Sequence, residues 1–155
     1  HEDPHMDVET MTLPRAKDDT DTVCGMKQGL ARGFDEFVFI GAIGGRFDHS
    51  LGNMSMLLYL DTLGKRGVIA DDYSEMEVLS PRRGTVKVSG RYPYFSLLAV
   101  DGTARGVCER GVKFPLEDAV ITSEYQYGIS NEVSGSEAVI TLREGYLLLV
   151  CVRNC

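Results

Sequence analysis

Two short segments of the chain carry side chains suited to phosphate and metal chemistry. The first is acidic, Lys17-Asp18-Asp19-Thr20-Asp21, and lies where a helix is predicted to begin. If this turn is helical, Asp18 and Asp21 share a face, which suits Mg²⁺, because that ion binds one or two carboxylates together with substrate phosphates. The alternative is that the acids only cap the helix and favour its dipole.

The second segment is glycine-rich, Gly41-Ala42-Ile43-Gly44-Gly45, and stands between an apolar run and a predicted helix. At the carboxyl end of a strand, glycines let backbone N–H groups approach a phosphate, and a helix N-terminus favours negative charge. Arg46 adds a planar cation suited to phosphate oxygens, and Asp48 adds a carboxylate that can accept from a hydroxyl. The alternative is a tight turn with an Arg–Asp surface pair.

The elements that position these segments alternate between helix and strand. The predicted order is helix 20–32, strand 37–40, helix 48–64 and strand 68–70. Both strands are short continuous apolar runs, as in strands buried on two faces. The short connections favour an α/β fold with a parallel sheet.

The pattern changes after residue 72. Strand-like segments recur at roughly ten-residue spacing, separated by turns, and this predicts a β-sandwich or barrel. They are 75–79, 85–88, 94–100, 106–109, 119–123, 138–142 and 146–152. We therefore predict an α/β domain in residues 1–72, with an incomplete parallel sheet, followed by an all-β sandwich in residues 73–155.

Composition narrows the class of protein. The 155 residues are 43% hydrophobic, which is enough for a buried core, and no apolar run approaches the roughly 18 residues of a membrane helix. The net charge of −7 argues against nucleic acid as the main partner, and an anionic ligand would need a metal or local Arg and Lys. The four cysteines lack zinc or disulfide spacing, so we expect reduced thiols in a cytoplasmic protein.

Four motifs resemble those of thiamine pyrophosphokinases. Lys17–Asp21 resembles the family's Lys-Asp-x-Thr-Asp motif, and Gly44–His49 resembles its Gly-Gly-Arg-x-Asp-His motif. Gly128–Glu132 is similar to the Gly-x-Ser-Asn-Glu segment of the bacterial members, and Lys113–Leu116 to their Lys-Tyr-Pro-Leu segment. In this order and spacing, the motifs span nearly the whole chain.

The resemblance implies an enzyme that transfers the pyrophosphoryl group of Mg-ATP to the hydroxyl of thiamine, giving thiamine diphosphate and AMP. ATP would be the co-substrate and Mg²⁺ the cofactor. Residues 1–72 would be the catalytic domain that binds ATP and Mg²⁺, and residues 73–155 the domain that binds thiamine and dimerises. The resemblance further implies a homodimer with sites between the subunits, and neither a nucleic acid nor a membrane partner is expected.

The resemblance also implies roles for individual residues of the catalytic domain. Asp21 would bind the metal directly, Arg46 would stabilise charge on the phosphates, and Asp48 would accept the hydroxyl proton unless solvent or phosphate does so. The implied metal ligands are Asp18 and Asp21. The implied ATP-binding residues are Lys17, Thr20, Gly44, Gly45 and Arg46.

Three further residues are implied to contact the substrate. Asn53 lies one turn into the second helix, at a polar position of the family that faces the cleft. Ser130 and Asn131 would line the thiamine pocket and reach into the partner subunit's site. For these two the alternative is a β-turn, which both residue types favour.

One family motif, an earlier Asp-x-Asp-Ser metal segment, has no counterpart in this sequence. Its place would be just before His1, so we expect the chain to be truncated at its start, since a sheet lacking its first strands would expose an apolar edge and face. A chain that truly lacked this segment is expected to show negligible catalysis. The alternatives are a non-catalytic module that binds thiamine or nucleotide, and a different Mg-dependent nucleotide enzyme on the same scaffold.

Overall fold

The computed structural model describes Thr10, Thr12 and residues 19–153. In these residues a five-stranded mixed sheet with helices on one part of it accompanies a four-stranded antiparallel sheet. The elements are α1 (Asp21–Ala31), β1 (Glu36–Ile40), α2 (Phe47–Thr62), β2 (Arg66–Ala70), β3 (Ser74–Leu79), a 3₁₀ turn (Pro81–Arg83), β4 (Val86–Ser89), β5 (Tyr94–Ala99), β6 (Thr103–Arg110), β7 (Leu116–Thr122), β8 (Glu137–Thr141) and β9 (Leu147–Val152).

Helix α1 begins and ends where its capping residues predict. Thr20 has extended backbone angles, and its Oγ1 accepts a hydrogen bond from the Val23 amide at 3.3 Å. Gly33 follows the helix with a φ of 83°, the left-handed conformation that ends many helices. The predicted helix start at Thr20 or Asp21 is confirmed.

The two helices cover one face of β1 and β2. Met26 of α1 and Met56 and Leu60 of α2 are buried together, against the rings of Phe37 and Phe39 on β1. Burial of this apolar surface holds both helices against β1.

The prediction of a parallel sheet is confirmed only for β1 and β2. These strands pair in parallel, whereas β3 pairs antiparallel with β2, and the sheet order is β1-β2-β3-β9-β5. The reason is the turn between β2 and β3, where Asp71 Oδ1 accepts from the amides of Tyr73 and Ser74 at 2.8 and 2.7 Å. So short a connection reverses the chain, because a parallel crossover needs a dozen or more residues.

The domain boundary predicted at residue 72 falls in this turn. The five-stranded sheet takes its strands from both sides of that residue. The second sheet has the order β4-β8-β6-β7 and is antiparallel throughout.

The expectation that the strand at 37–40 is buried on both faces is wrong. Phe37 and Phe39 face the helices, but Val38 is 67% exposed and Ile40 is 83% exposed. Val38 and Ile40 are exposed because no other described residues cover that face of β1, which is the outermost strand of its sheet.

The main core lies between the two sheets. Phe95, Leu97 and Leu147 of the mixed sheet are fully buried against Ile121 and Ile140 of the antiparallel sheet. Strands β5 and β9 therefore belong to a five-stranded sheet and to a two-sheet core at once. Neither helix in the described part of the chain is long and apolar enough to cross a membrane.

Candidate functional site

The glycine segment forms the loop from the end of β1 to the start of α2. Gly44 has a φ of 124° and Gly45 a φ of 45°, both in the region that side chains disfavour. A Cβ added at either residue would meet no atom within 4 Å. The glycines are therefore needed for the backbone conformation, and the space beside them is open.

The first turns of α2 hold this loop in place. The Asn53 Nδ2 donates to the carbonyl oxygen of Ala42 at 2.5 Å, and Asn53 is buried. Ser50 Oγ accepts from the Gly44 amide and donates to the carbonyl oxygen of Arg46, both at 3.2 Å. Sequence analysis missed Ser50, although a hydroxyl four residues after Arg46 is in reach of a carbonyl at the start of a helix.

Arg46 and Asp48 form a two-point ion pair at the mouth of the loop. The guanidinium Nε and Nη2 donate to Oδ1 and Oδ2 of Asp48 at 3.1 and 2.5 Å. The side chains are 70% and 64% exposed, so the pair lies in solvent and adds little to stability. The hydrogen bond from Arg46 is the first cause that lowers the pKa of Asp48, and the same bond raises the pKa of Arg46.

A cavity of about 600 Å³ lies over this loop and the start of α1. It brings together residues that sequence analysis predicted in separate motifs, namely Thr20, Asp21, Gly44, Gly45, Arg46 and Asn53. His49 also lines the cavity and was missed, although it belongs to the second motif. The cavity thus combines a carboxylate, a guanidinium and glycine amides beside two helix N-termini, an arrangement suited to a metal-bound polyphosphate.

The acidic segment is only partly within the described residues, because Lys17 and Asp18 lie outside them. Asp19 pairs with Lys27, with 2.5 Å between the carboxylate and the ammonium. Thr20 caps α1, and Asp21 is the described carboxylate that lines the cavity. Among residues 19–153 no three His, Cys, Asp or Glu side chains group as a metal site.

Asn131 belongs to a second polar centre, in the β-rich part of the chain. Its Nδ2 donates to Glu109 Oε2 at 2.6 Å and to the carbonyl oxygen of Phe114 at 2.8 Å. Its Oδ1 accepts from the amides of Phe114 and Glu132 at 3.1 and 3.0 Å. The buried amide thus joins β6 to two loops, a structural task that sequence analysis did not assign to it.

Ser130, beside it, is exposed and has a φ of 60°, and its amide donates to Ser96 Oγ at 3.0 Å. The backbone of Asn131 pairs with that of Phe95 at 2.9 and 3.0 Å. The segment therefore runs along the edge of β5 that does not pair with β9. Neither residue lines the cavity over the glycine loop.

Glu109 is the third residue that sequence analysis missed, after Ser50 and His49. It is 1% exposed, and burial raises the pKa of its carboxyl to about 7, against a smaller lowering by the hydrogen bond from Asn131. Together with Asn131 it lines a separate cavity of about 270 Å³. The available signal was its position two residues after the inward-facing Val107, since alternate residues of a strand share a face.

Two family models match the chain. The model described as the catalytic domain of thiamin pyrophosphokinase matches residues 4–68. The model described as the vitamin B1 binding domain of the same enzyme matches residues 83–147.

Individual relatives agree with these models. A thiamine pyrophosphokinase of Bacillus subtilis (strain 168) is 25% identical over 134 residues, which cover 86% of this chain and 63% of the relative. The solved thiamin pyrophosphokinase of Geobacillus thermodenitrificans is 30% identical with a TM-score of 0.78, and the match covers 91% of this chain and 65% of that one. A crystal structure of thiamine pyrophosphokinase from Bacillus subtilis has the same fold, with a TM-score of 0.82 at 24% identity over 90% of this chain and 66% of that one. The chain thus spans just under two thirds of the length of each of these relatives.

Proposed function

The chain belongs to the thiamin pyrophosphokinase family, and on that premise we propose that it transfers the pyrophosphoryl group of ATP to the hydroxyl of thiamine. The thiamine oxygen forms a bond to the β-phosphorus, and the bond from that phosphorus to the α,β-bridging oxygen breaks. AMP leaves with the bridging oxygen, and the hydroxyl proton is released. The observation that carries the proposal is the single cavity that joins the start of α1 to the glycine loop and Arg46.

The glycine loop is the proposed cradle for the phosphates. Its conformation leaves open space beside Gly44 and Gly45, so an anion can approach their backbone closely. Ser50 and Asn53 fix the loop from behind through hydrogen bonds to its backbone. A loop that already has this conformation before ATP binds would accelerate the transfer by positioning the phosphates and stabilising their charge. These two effects dominate catalysis of phosphoryl-type transfers.

Arg46 is the proposed group that stabilises negative charge as the transfer proceeds. Its side chain is largely exposed and held by one partner, Asp48, so it can exchange solvent for phosphate oxygens at little cost to the fold. The lowered pKa of Asp48 makes it a weak proton acceptor while the pair is intact. We therefore infer that Asp48 orients Arg46, and that it takes the hydroxyl proton only if Arg46 moves to the phosphates.

The donor chemistry of the cavity fits Mg²⁺. Asp21 places one carboxylate on the cavity, and Mg²⁺ usually binds one or two carboxylates with substrate phosphates and water. Asp21 would hold the ion together with Asp18, which lies outside the described residues. When bound, the ion would neutralise phosphate charge that a chain of net charge −7 otherwise repels.

Thiamine is proposed to bind in the β-rich part of the chain, near Ser130 and Asn131. The two cavities share no lining residue. A homodimer, in which Ser130 and Asn131 of one copy lie near the phosphate site of the other, would bring both substrates together. Light scattering during size-exclusion chromatography tests this, and a monomer that remains fully active would exclude it.

The direct test is an assay of the chain with ATP, Mg²⁺ and thiamine, with nucleotides and thiamine esters separated by chromatography. Equal amounts of AMP and thiamine diphosphate are expected. Formation of ADP with thiamine monophosphate would show single phosphoryl transfer and refute the proposal. Thiamine binding without any turnover, even when an Asp-x-Asp-Ser segment is supplied before His1, would favour the non-catalytic binding module instead.

A further inference from the structure

The cavity beside Asn131 has an aromatic rim and a charged floor. Phe114 is 60% exposed and Tyr127 is 42% exposed, so both rings are open to solvent on one side. Glu109 and Asn131 are 1% and 5% exposed and lie at its inner end. A ligand can therefore enter between the aromatic rings and reach the carboxylate.

The carboxylate of Glu109 is only half satisfied by the protein. Its Oε2 accepts from Asn131, whereas its Oε1 is buried and has no hydrogen-bond partner within residues 19–153. Buried polar atoms almost always have partners, so each exception requires an explanation, of which a functional role is one. The unpartnered Oε1 is therefore an acceptor available to a donor in the cavity.

Neighbouring charged groups do not supply that donor. Arg110 pairs with Glu117 and Lys113 pairs with Glu132, all with exposed side chains. On the two strands that flank β6, the residues opposite Glu109 are Leu116 and Ile140. From the loop, the Tyr127 hydroxyl donates to the Val120 carbonyl oxygen at 2.8 Å, so it too is engaged elsewhere.

We propose that Glu109 is a specificity-determining residue for a flat heteroaromatic ring with an amino group, whose N–H donates to Oε1 of the carboxylate. This inference rests on the proposed function, under which the ring is the aminopyrimidine of thiamine. The aromatic rings at the rim favour a flat ring by stacking. The volume of about 270 Å³ suits one ring rather than a whole nucleotide.

Other ligands fit this cavity less well. A phosphate would be repelled by the carboxylate. A divalent cation would find one carboxylate beside the Asn131 amide, whose oxygen already accepts two backbone hydrogen bonds. A ring with a carbonyl in place of the amino group would place its carbonyl oxygen against Glu109 Oε1, and both of these atoms are hydrogen-bond acceptors. Such a mismatch leaves buried polar groups unpaired, which sites of this kind reject strongly.

The test measures binding of thiamine and of oxythiamine, the analogue in which a carbonyl oxygen replaces the amino group, by calorimetry at pH 8. The natural chain is expected to prefer thiamine by about tenfold or more, the value of a hydrogen bond to a charged group. Glu109→Gln retains the shape but places an uncharged amide in the cavity, and the preference is expected to fall to about twofold or to reverse. Glu117→Gln, an exposed carboxylate on β7, is the matched control and should keep the preference of the natural chain.

A second measurement separates binding from structure. Because burial raises the pKa of Glu109 to about 7, thiamine affinity of the natural chain should fall about tenfold from pH 8 to pH 6. Glu109→Gln should show no such fall. A variant that weakens thiamine and oxythiamine equally, or that keeps the natural preference, would overturn the inference and leave Glu109 a structural partner of Asn131.

The outcomes also distinguish this inference from the proposed function. If AMP and thiamine diphosphate are formed but Glu109→Gln discriminates normally, the function stands and the inference fails. If 4-amino-5-hydroxymethyl-2-methylpyrimidine binds in a Glu109-dependent manner but no AMP is formed, the ring pocket stands and the pyrophosphokinase fails. If no amino-substituted ring binds, the inference is refuted whatever the assay shows.

Discussion

The two polar centres of this molecule use similar residue types in opposite ways. At the glycine-loop cavity, Arg46 and Asp48 are largely exposed and form an ion pair with each other. At the β-rich cavity, Asn131 and Glu109 are buried, and the Asn131 amide forms four hydrogen bonds within the protein. A motif residue of the first kind can change partners at little cost, whereas one of the second kind supports the fold.

The largest effect is expected at Asn131. Asn131→Ala leaves Glu109 Oε2 and both backbone groups of Phe114 without their partner, so the free energy of unfolding should fall by about 4 kcal/mol. Urea unfolding followed by circular dichroism measures this. Ser134→Ala, at an exposed neighbour, is the control and should change the free energy by less than about 0.5 kcal/mol. If Asn131→Ala lowered the free energy of unfolding by less than about 1 kcal/mol, the proposed difference between a buried, structural centre and an exposed one would be wrong.

The next effect concerns the pH dependence of stability. The pKa of Glu109 rises from 4.5 to about 7 on folding, so the folded chain retains a proton that the unfolded chain releases. Stability from this group is complete below pH 4.5 and is lost as the pH rises through 7, by about 3 kcal/mol in total. Glu109→Gln should remove this component of the pH profile, and Glu117→Gln should retain it. Identical profiles for the natural chain and Glu109→Gln would show that the buried carboxyl titrates normally.

Activity should respond most at the exposed centre. Arg46→Lys loses the two-point geometry of the guanidinium, and the proposed transfer should slow about a hundredfold, while stability changes by less than about 0.5 kcal/mol. Steady-state formation of AMP and thermal unfolding measure the two quantities. Arg110→Lys, whose partner Glu117 is equally exposed, serves as the control for both. If Arg46→Lys were substantially less stable than the natural chain, Arg46 would support the fold in the way proposed for Asn131.

Sequence reasoning predicted the local elements well and their long-range pairing poorly. The apolar and glycine pattern predicts every strand segment, because alternation and turns are local. Strand β9 lies between β3 and β5, and this pairing joins residues that are far apart in the sequence. It depends on burial of Leu147 and Leu149 between the two sheets, and no local pattern indicates it. The exposed face of β1 was missed for the same reason, since an apolar run does not show which sheet edge it occupies.

The candidate site divides in the same way. The glycine loop and Arg46 were found because turn chemistry and a helix start are visible in sequence. Glu109 was missed because a lone Glu in a strand is usually solvent-exposed, and its alternation with Val107 was not weighed against that expectation. The fold shows Glu109 buried and hydrogen-bonded to Asn131. The substrate roles of Ser130 and Asn131 stay predictions, as do those of Lys17 and Asp18, which lie outside the described residues.

The smallest effect compares two glycines, one in the loop and one in the helix that follows it. Gly45→Ala forces alanine to a φ of 45° and should lower the free energy of unfolding by about 1 kcal/mol. Gly52→Ala lies within α2, where an added Cβ meets no atom within 4 Å, and should raise that free energy by about 1 kcal/mol through helix propensity. Urea unfolding of the two variants should therefore give shifts of opposite sign. Shifts of the same sign would mean that backbone conformation does not explain the glycine in the loop, and that Gly45 is needed only by the ligand that binds beside it.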